Sequence, residues 1–164
     1  MSSQNKNDLL VQLKRAKSLA NVQLFTIELQ IRRLRDFEPE DEKFVLRWWS
    51  DLQFLILSLT GLRRAASIAN SNHKVAQAIN EFDNNLSGLK EMRDVTQHVD
   101  EYAVDKSGRH NKDINRKMLE VGSWNDPIYE WLGKELNIDI AYKQSIKLFK
   151  SIQEAFNTTR NEIE

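Results

Sequence analysis

The chain reads as a mainly α-helical protein: four long helices in a bundle, with a small β-hairpin between the third and fourth. Apolar residues recur at spacings of three and four over four long stretches, which is the period of a helix with one buried face. Only 5 Gly and 2 Pro occur in 164 residues, leaving few positions for turns. At this length a single domain buries about two thirds of its unfolded surface, so one domain spanning 1–164 is expected, with 1–6 as a flexible lead-in and 104–136 as a loop and hairpin insertion.

The first helix, about Asn7 to Asp36, carries Leu9, Leu13, Ala16, Ala20, Leu24 or Phe25, Ile27, Ile31 and Leu34. Its last turn holds Arg32, Arg33 and Arg35, and the next segment opens Pro39, Glu40, Asp41, Glu42. Cations at a helix end and carboxylates at the next start complement the helix dipoles, a simpler reading than an acidic metal site. The second helix, about Pro39 to Asn70, runs through Phe44, Trp48, Leu52, Leu55, Leu59, Leu62, Ala66 and Ala69 and is apolar almost all round in its middle. A helix of that kind is buried on several sides, and Gly61 within it marks a close crossing or a kink. Trp48 and Trp49 suit packing in the core or against a subunit; a stacking platform for bases is the alternative.

Ser71 and Asn72 are good caps for a third helix to about Ala103, with Val75, Ile79, Phe82, Leu86 and Leu89 on its inner face. The segment Val104 to Asp113 reads as a loop. Two β-type stretches, Met118 to Trp124 and Ile128 to Leu132, flank the turn residues Asn125, Asp126 and Pro127 and read as a hairpin. The fourth helix, about Asp139 to Thr159, carries Ile140, Ile146, Leu148 or Phe149, Ile152 and Phe156.

Composition also excludes functions. There are 0 Cys, so disulfides, thiolate metal sites and thiol nucleophiles are absent, which suits a reducing cytoplasm. Met1 to Asp8 lacks the apolar run of a secretory signal, and Leu52 to Leu62 is too short to span a bilayer, so no membrane partner is expected. The 24 Lys+Arg balance 24 Asp+Glu, so attraction to nucleic acid must come from a local patch. Without a Glu-x-x-His pair or a glycine-rich phosphate loop, neither a metal nor another cofactor is expected.

Chemistry concentrates near the end of the third helix. Continuing the inner face from Phe82 through Leu86 and Leu89 leads to Arg93, a cation where a core residue is due. Buried guanidinium is costly unless paired, so Arg93 either makes a salt bridge to Asp94 or Glu101 or faces a cleft or a subunit. His98 follows five residues later and shares a face with Asp94, Glu101 and Tyr102, so a carboxylate can orient its imidazole. On an ideal helix Arg93 and His98 lie about 140° apart, and they converge only if the helix end is distorted or a second subunit completes the site.

An Arg, four residues and a His, with a polar residue directly after the Arg, near the end of a long helix in a small helical protein, resembles the motif of the HEPN ribonucleases. Many members of that family are toxins of toxin and antitoxin pairs or abortive-infection effectors. The resemblance implies a helical homodimer whose two motifs meet at the interface and form a composite, metal-independent RNA-cleaving site. It makes Arg93 and His98 catalytic, Asp94 the adjacent polar residue, RNA the substrate and an antitoxin protein a partner. The residue types suit that chemistry: imidazole exchanges protons near neutral pH, and a planar cation holds phosphate oxygens while a ribose 2′-OH attacks. Beyond the helix, Lys106, Arg109, His110, Lys112, Arg116 and Lys117 outweigh Asp105 and Asp113. Arg109, His110, Lys112 and Arg116, with Tyr102, are therefore expected to bind substrate, a solvated loop being the plainer alternative. Some family toxins carry a modifiable Tyr two residues after the His; here Asp100 stands there, so control by that modification is not expected. The competing functional expectation is a non-catalytic helical interaction module using the aromatic, apolar second helix.

Overall fold

A computed structural model describes residues 3–36, 45–103 and 119–163, with side chains from residue 5 onward. They form six helices and one small antiparallel sheet: α1 (Ser3–Arg35), α2 (Arg47–Ser67), α3 (His73–Asn85), α4 (Leu89–Gln97), α5 (Val99–Ala103), β1 (Ser123–Asn125), β2 (Ile128–Trp131), β3 (Lys134–Asn137) and α6 (Ile138–Asn161). The expected start of the second helix at Pro39 to Phe44 and the basic loop lie outside the described residues, as does the start of the first expected strand. The lead-in expected over 1–6 is already helical from Ser3.

α2 is the central element, packing against α1, α3, α4 and α6. That position answers its apolar circumference: Leu52, Leu55, Ile56, Leu59, Leu62 and Ala66 are fully buried. α1 supplies Leu13, Ala16, Ala20 and Ile27 to the same core, and α6 supplies Ile138, Ala141, Leu148 and Ile152. Of the alternatives left open by spacing, Leu24 packs inward while Phe25 is 68% exposed. α6 likewise anchors through Ile138 rather than Ile140, which is exposed. α1 crosses α2 closely at Gly61, where a Cβ would stand 2.6 Å from the Gln23 side-chain oxygen.

The third helix departs most from expectation, being three helices instead of one. α3 starts under Asn72, whose side chain accepts from the Lys74 and Val75 amides, and ends at Leu86 with φ −122° and ψ 48°. A turn at Leu86, Ser87 and Gly88 follows before α4. Gly88 allows it, since a Cβ there would lie 2.9 Å from the Lys134 Cβ on β3. The break is hidden in the sequence because Leu86 and Leu89 are three apart and both buried, a spacing that a turn satisfies as well as a helix does.

The sheet has order β1-β2-β3, with Trp124 opposite Tyr129 and Tyr129 opposite Leu136. It thus contains one strand more than the expected hairpin. β2 and β3 meet at Leu132 and Gly133, both at positive φ (59° and 75°), the paired left-handed conformation of a two-residue hairpin turn. A leucine there is sterically costly, by about 1–2 kcal/mol, and its complete burial offsets the strain. β1 begins at Ser123, later than expected, and Gly122 just before it has no room for a side chain, since a Cβ there would collide with the Glu130 carbonyl and the Tyr129 ring. The sheet packs under Trp49, whose ring meets Tyr129 and Trp131 edge-on at 6.0 and 5.2 Å between centroids. Arg35 ties this end of α1 to the sheet turn and to α6 through Asp126 and Asp139. Both carboxylates raise the Arg35 pKa, that of Asp126 most.

Candidate functional site

The turn at 86–88 resets the helical phase, so the inner face of α4 is Leu89, Met92 and Val95 rather than the series that leads to Arg93. Thr96 locks this rotation by donating to Gln53 of α2 at 2.7 Å while also lying 2.8 Å from the Met92 carbonyl. Arg93 is carried to the flank of α4. There it lines a cavity of about 500 Å³ with Thr60, Arg63 and Arg64 of α2, Asp83 of α3, Ser87 of the turn, and Leu89 and Lys90 of α4.

The cavity wall carries four cations and one carboxylate. Arg63 is engaged: its Nε and terminal nitrogen donate to Asp83 at 3.1 and 2.8 Å, and its other nitrogen to Ser67 at 2.9 Å. The Asp83 hydrogen bond raises the Arg63 pKa against the opposing effect of burial. Arg93 forms the salt bridge that its position calls for, to Asp94 at 2.9 Å, and donates to Gln97 at 3.3 Å. Its Nε is buried and has no hydrogen-bond partner among the described residues. Arg64 and Lys90 are exposed at the rim and have no acidic partner among the described residues. The local field is therefore positive in a molecule of zero net charge.

α4 ends at His98, whose amide still donates to the Asp94 carbonyl at 3.0 Å but whose φ of −131° and ψ of 38° leave the helix. Relative to a helical residue, that φ swings the Cβ by roughly 70° about the N–Cα bond, so the ideal 140° divergence from Arg93 no longer holds. The imidazole is about half exposed, and its Nδ1 lies 3.5 Å from Glu101 Oε1. His98 is not part of the cavity lining, which ends with Arg93. α5 then turns Tyr102 back into the protein. Burial raises the pKa of its hydroxyl, Asp94, Glu101 and Glu91 raise it further, and Arg93 lowers it. The groups flanking His98 thus share one corner of the fold.

Of the residues expected at the site, Arg93 and Asp94 are paired, His98 stands one helical turn further on, and Tyr102 is 4% exposed. A ring so buried presents no face to a base; it belongs to the hydrophobic core. Arg109, His110, Lys112 and Arg116 lie outside the described residues. Trp48 and Trp49 pack edge-to-face with each other, and Trp49 continues into the sheet, so their role is packing. Sequence reading missed Arg63, Arg64 and Lys90 at the cavity. The adjacent Arg63 and Arg64 were a visible signal, but bringing Lys90 beside them requires the hidden turn at Ser87.

Among the described residues no cluster of three or more His, Asp or Glu is placed to hold a metal ion, and no helix is long and apolar enough to cross a membrane. No family model, curated protein or solved structure matches this chain, so its residues and geometry alone carry the functional reading.

Proposed function

We propose that this chain is a HEPN-type endoribonuclease, a four-helix bundle of α1, α2, the α3–α5 series and α6 that acts as a homodimer, its two α4 ends facing one another. His98 moves the proton between the ribose 2′-OH and the departing 5′ oxygen. Arg93 holds the non-bridging phosphate oxygens and offsets the charge that develops as the 2′ oxygen attacks. Asp94 orients the guanidinium, and Glu101 stands within reach of the imidazole Nδ1. The products of such a step are a 2′,3′-cyclic phosphate and a free 5′-OH, and no metal takes part in it. The cellular setting we propose is that of a toxin or defence effector held in check by a partner protein.

The single observation supporting this reading is the end of α4 at His98, where the backbone leaves the helix at φ −131° and ψ 38°, so the roughly 140° separation of an ideal helix does not bind Arg93 and His98. The test is cleavage of single-stranded RNA by the wild-type chain and by Arg93→Ala and His98→Ala. Each substitution is expected to lower the rate by about 10²–10⁴ while the far-ultraviolet circular dichroism stays unchanged. Equal rates in all three would remove the reading.

A second reading, a non-catalytic interaction module, is favoured by the outer side of α1. Val11, Val22, Phe25 and Leu29 stand exposed opposite the buried Leu13, Ala16 and Ile27, a second apolar stripe on one helix. Phe25→Ser with Val22→Ser is then expected to abolish association in sedimentation while leaving the monomer folded, and RNA would remain uncut.

A further inference from the structure

We propose that the cavity between α2, α3 and α4 is a backbone-phosphate subsite for single-stranded RNA, with Arg64 and Lys90 as substrate-positioning residues. The inference rests on the nuclease reading for its ligand and on the cavity itself for its chemistry. At about 500 Å³ the cavity falls in the ordinary range for small ligands, about 300–1,000 Å³, and its charged lining is four cations against one carboxylate, so the occupant it favours is an anion. Three of the four cations are arginines, whose planar forks match phosphate oxygens.

Two of these arginines are committed within the protein, Arg63 to Asp83 and Arg93 to Asp94. Arg64 and Lys90 are not, and they stand at the rim, where a chain of phosphates passing over the opening is reached first. Because Arg93 belongs both to the cavity and to the proposed catalytic pair, a phosphate held here neighbours the one that is cut. A lone carboxylate fits less well, since the sugar-phosphate backbone supplies repeated charges that several cations can engage together.

The experiment measures binding of a fluorescent 12-nucleotide 2′-O-methyl oligouridylate, which keeps the phosphates but lacks the attacking hydroxyl, by anisotropy between 50 and 300 mM salt. Arg64→Ala with Lys90→Ala is expected to weaken binding at least 10-fold at 100 mM salt. The slope of log affinity against log salt should fall by about 1.4, two contacts at roughly 0.7 each on a single strand. Arg15→Ala with Lys150→Ala, the same charge change on exposed positions of α1 and α6, is expected to change affinity less than twofold. Asp83→Asn, which releases Arg63, is expected to tighten binding, a gain that loss of structure does not produce. Equal weakening by the two double variants overturns the subsite, and so does inorganic phosphate binding in a protein that does not bind the oligonucleotide. The two claims separate cleanly. If the cavity variant loses oligonucleotide binding but unmodified RNA is never cut, the subsite stands and the nuclease falls; if RNA is cut with an unchanged KM in the cavity variant, the nuclease stands and the subsite falls.

Discussion

Arg33 and Asp51 join α1 to α2 through one hydrogen-bonded ion pair, and its two ends are buried very differently. Asp51 Oδ1 accepts from Arg33 Nε at 2.8 Å; the Asp51 side chain is 3% exposed and that of Arg33 48%. Asp51 Oδ2 is buried with no hydrogen-bond partner among the described residues, so the carboxylate depends heavily on this arginine. Orphaning a buried charge costs about 3–5 kcal/mol, and the half-exposed arginine argues for the lower end, so Arg33→Met should destabilise by about 3 kcal/mol. Asp51→Leu should cost about 1 kcal/mol or less, because the released arginine can swing into water and a leucine fills similar space. The double variant should then resemble Asp51→Leu alone. With a urea slope of about 2 kcal/mol per molar, Arg33→Met shifts the unfolding midpoint down by about 1.5 M at constant slope. Equal costs for the two single variants, or a double variant as unstable as Arg33→Met, would refute the argument that the carboxylate is the buried, dependent partner.

Three further outcomes follow from the packing. Gly122→Ala forces a Cβ onto the Glu130 carbonyl and the Tyr129 ring and should cost about 1–3 kcal/mol, whereas Gly61→Ala meets only the movable end of Gln23, gains about 0.5–1 kcal/mol of helix propensity and should be near neutral, which thermal melts will separate. Asn72→Ala and Asn137→Ala each remove a side chain that accepts two amides at a helix start, and each should lower stability by about 1 kcal/mol in denaturant titration. Tyr129→Phe should flatten the alkaline limb of the stability profile. Burial pushes the Tyr129 hydroxyl well above the usual phenol range; Gln53 lies beside it and pulls slightly the other way, but neither the hydroxyl nor Gln53 Nε2 reaches good hydrogen-bond geometry. Its folded pKa thus exceeds the unfolded value of about 10, so wild-type stability is fully present below that pH and is lost as pH rises above it, a loss the phenylalanine variant escapes in part.

Periodicity was enough to place α1, α2, α3 and α6, because the buried residues of each, such as Leu52, Leu59 and Ile152, recur at helical spacing over three or more turns. It failed where two structures share a spacing: Leu86 and Leu89 are buried neighbours in a turn as they would be in a helix, so the break before α4 left no trace in the apolar pattern. β3 was missed because its turn is built from Leu132 and Gly133, and a buried leucine at positive φ looks like a core strand residue in sequence. At the site, the oddity of Arg93 was legible as a cation close to an apolar stripe, and Asp94 as its available partner. The cavity was not legible, since Arg63 and Arg64 come from α2 and Lys90 from α4, and only the turn at Ser87 and Gly88 brings them to one wall. Tyr102 keeps its expected place one turn after His98, its amide donating to the His98 carbonyl at 3.2 Å, but its ring is buried, which spacing from His98 alone did not show.

The central claim is that His98 and Arg93 cut RNA by activating a ribose hydroxyl. Its most direct test is the end chemistry of an end-labelled single-stranded oligoribonucleotide incubated with the wild-type protein and with His98→Ala in the presence of EDTA. The account predicts fragments ending in 2′,3′-cyclic phosphate with the wild-type protein and intact RNA with the variant. Intact RNA in both reactions, or cyclic-phosphate fragments at equal rates in both, would contradict it.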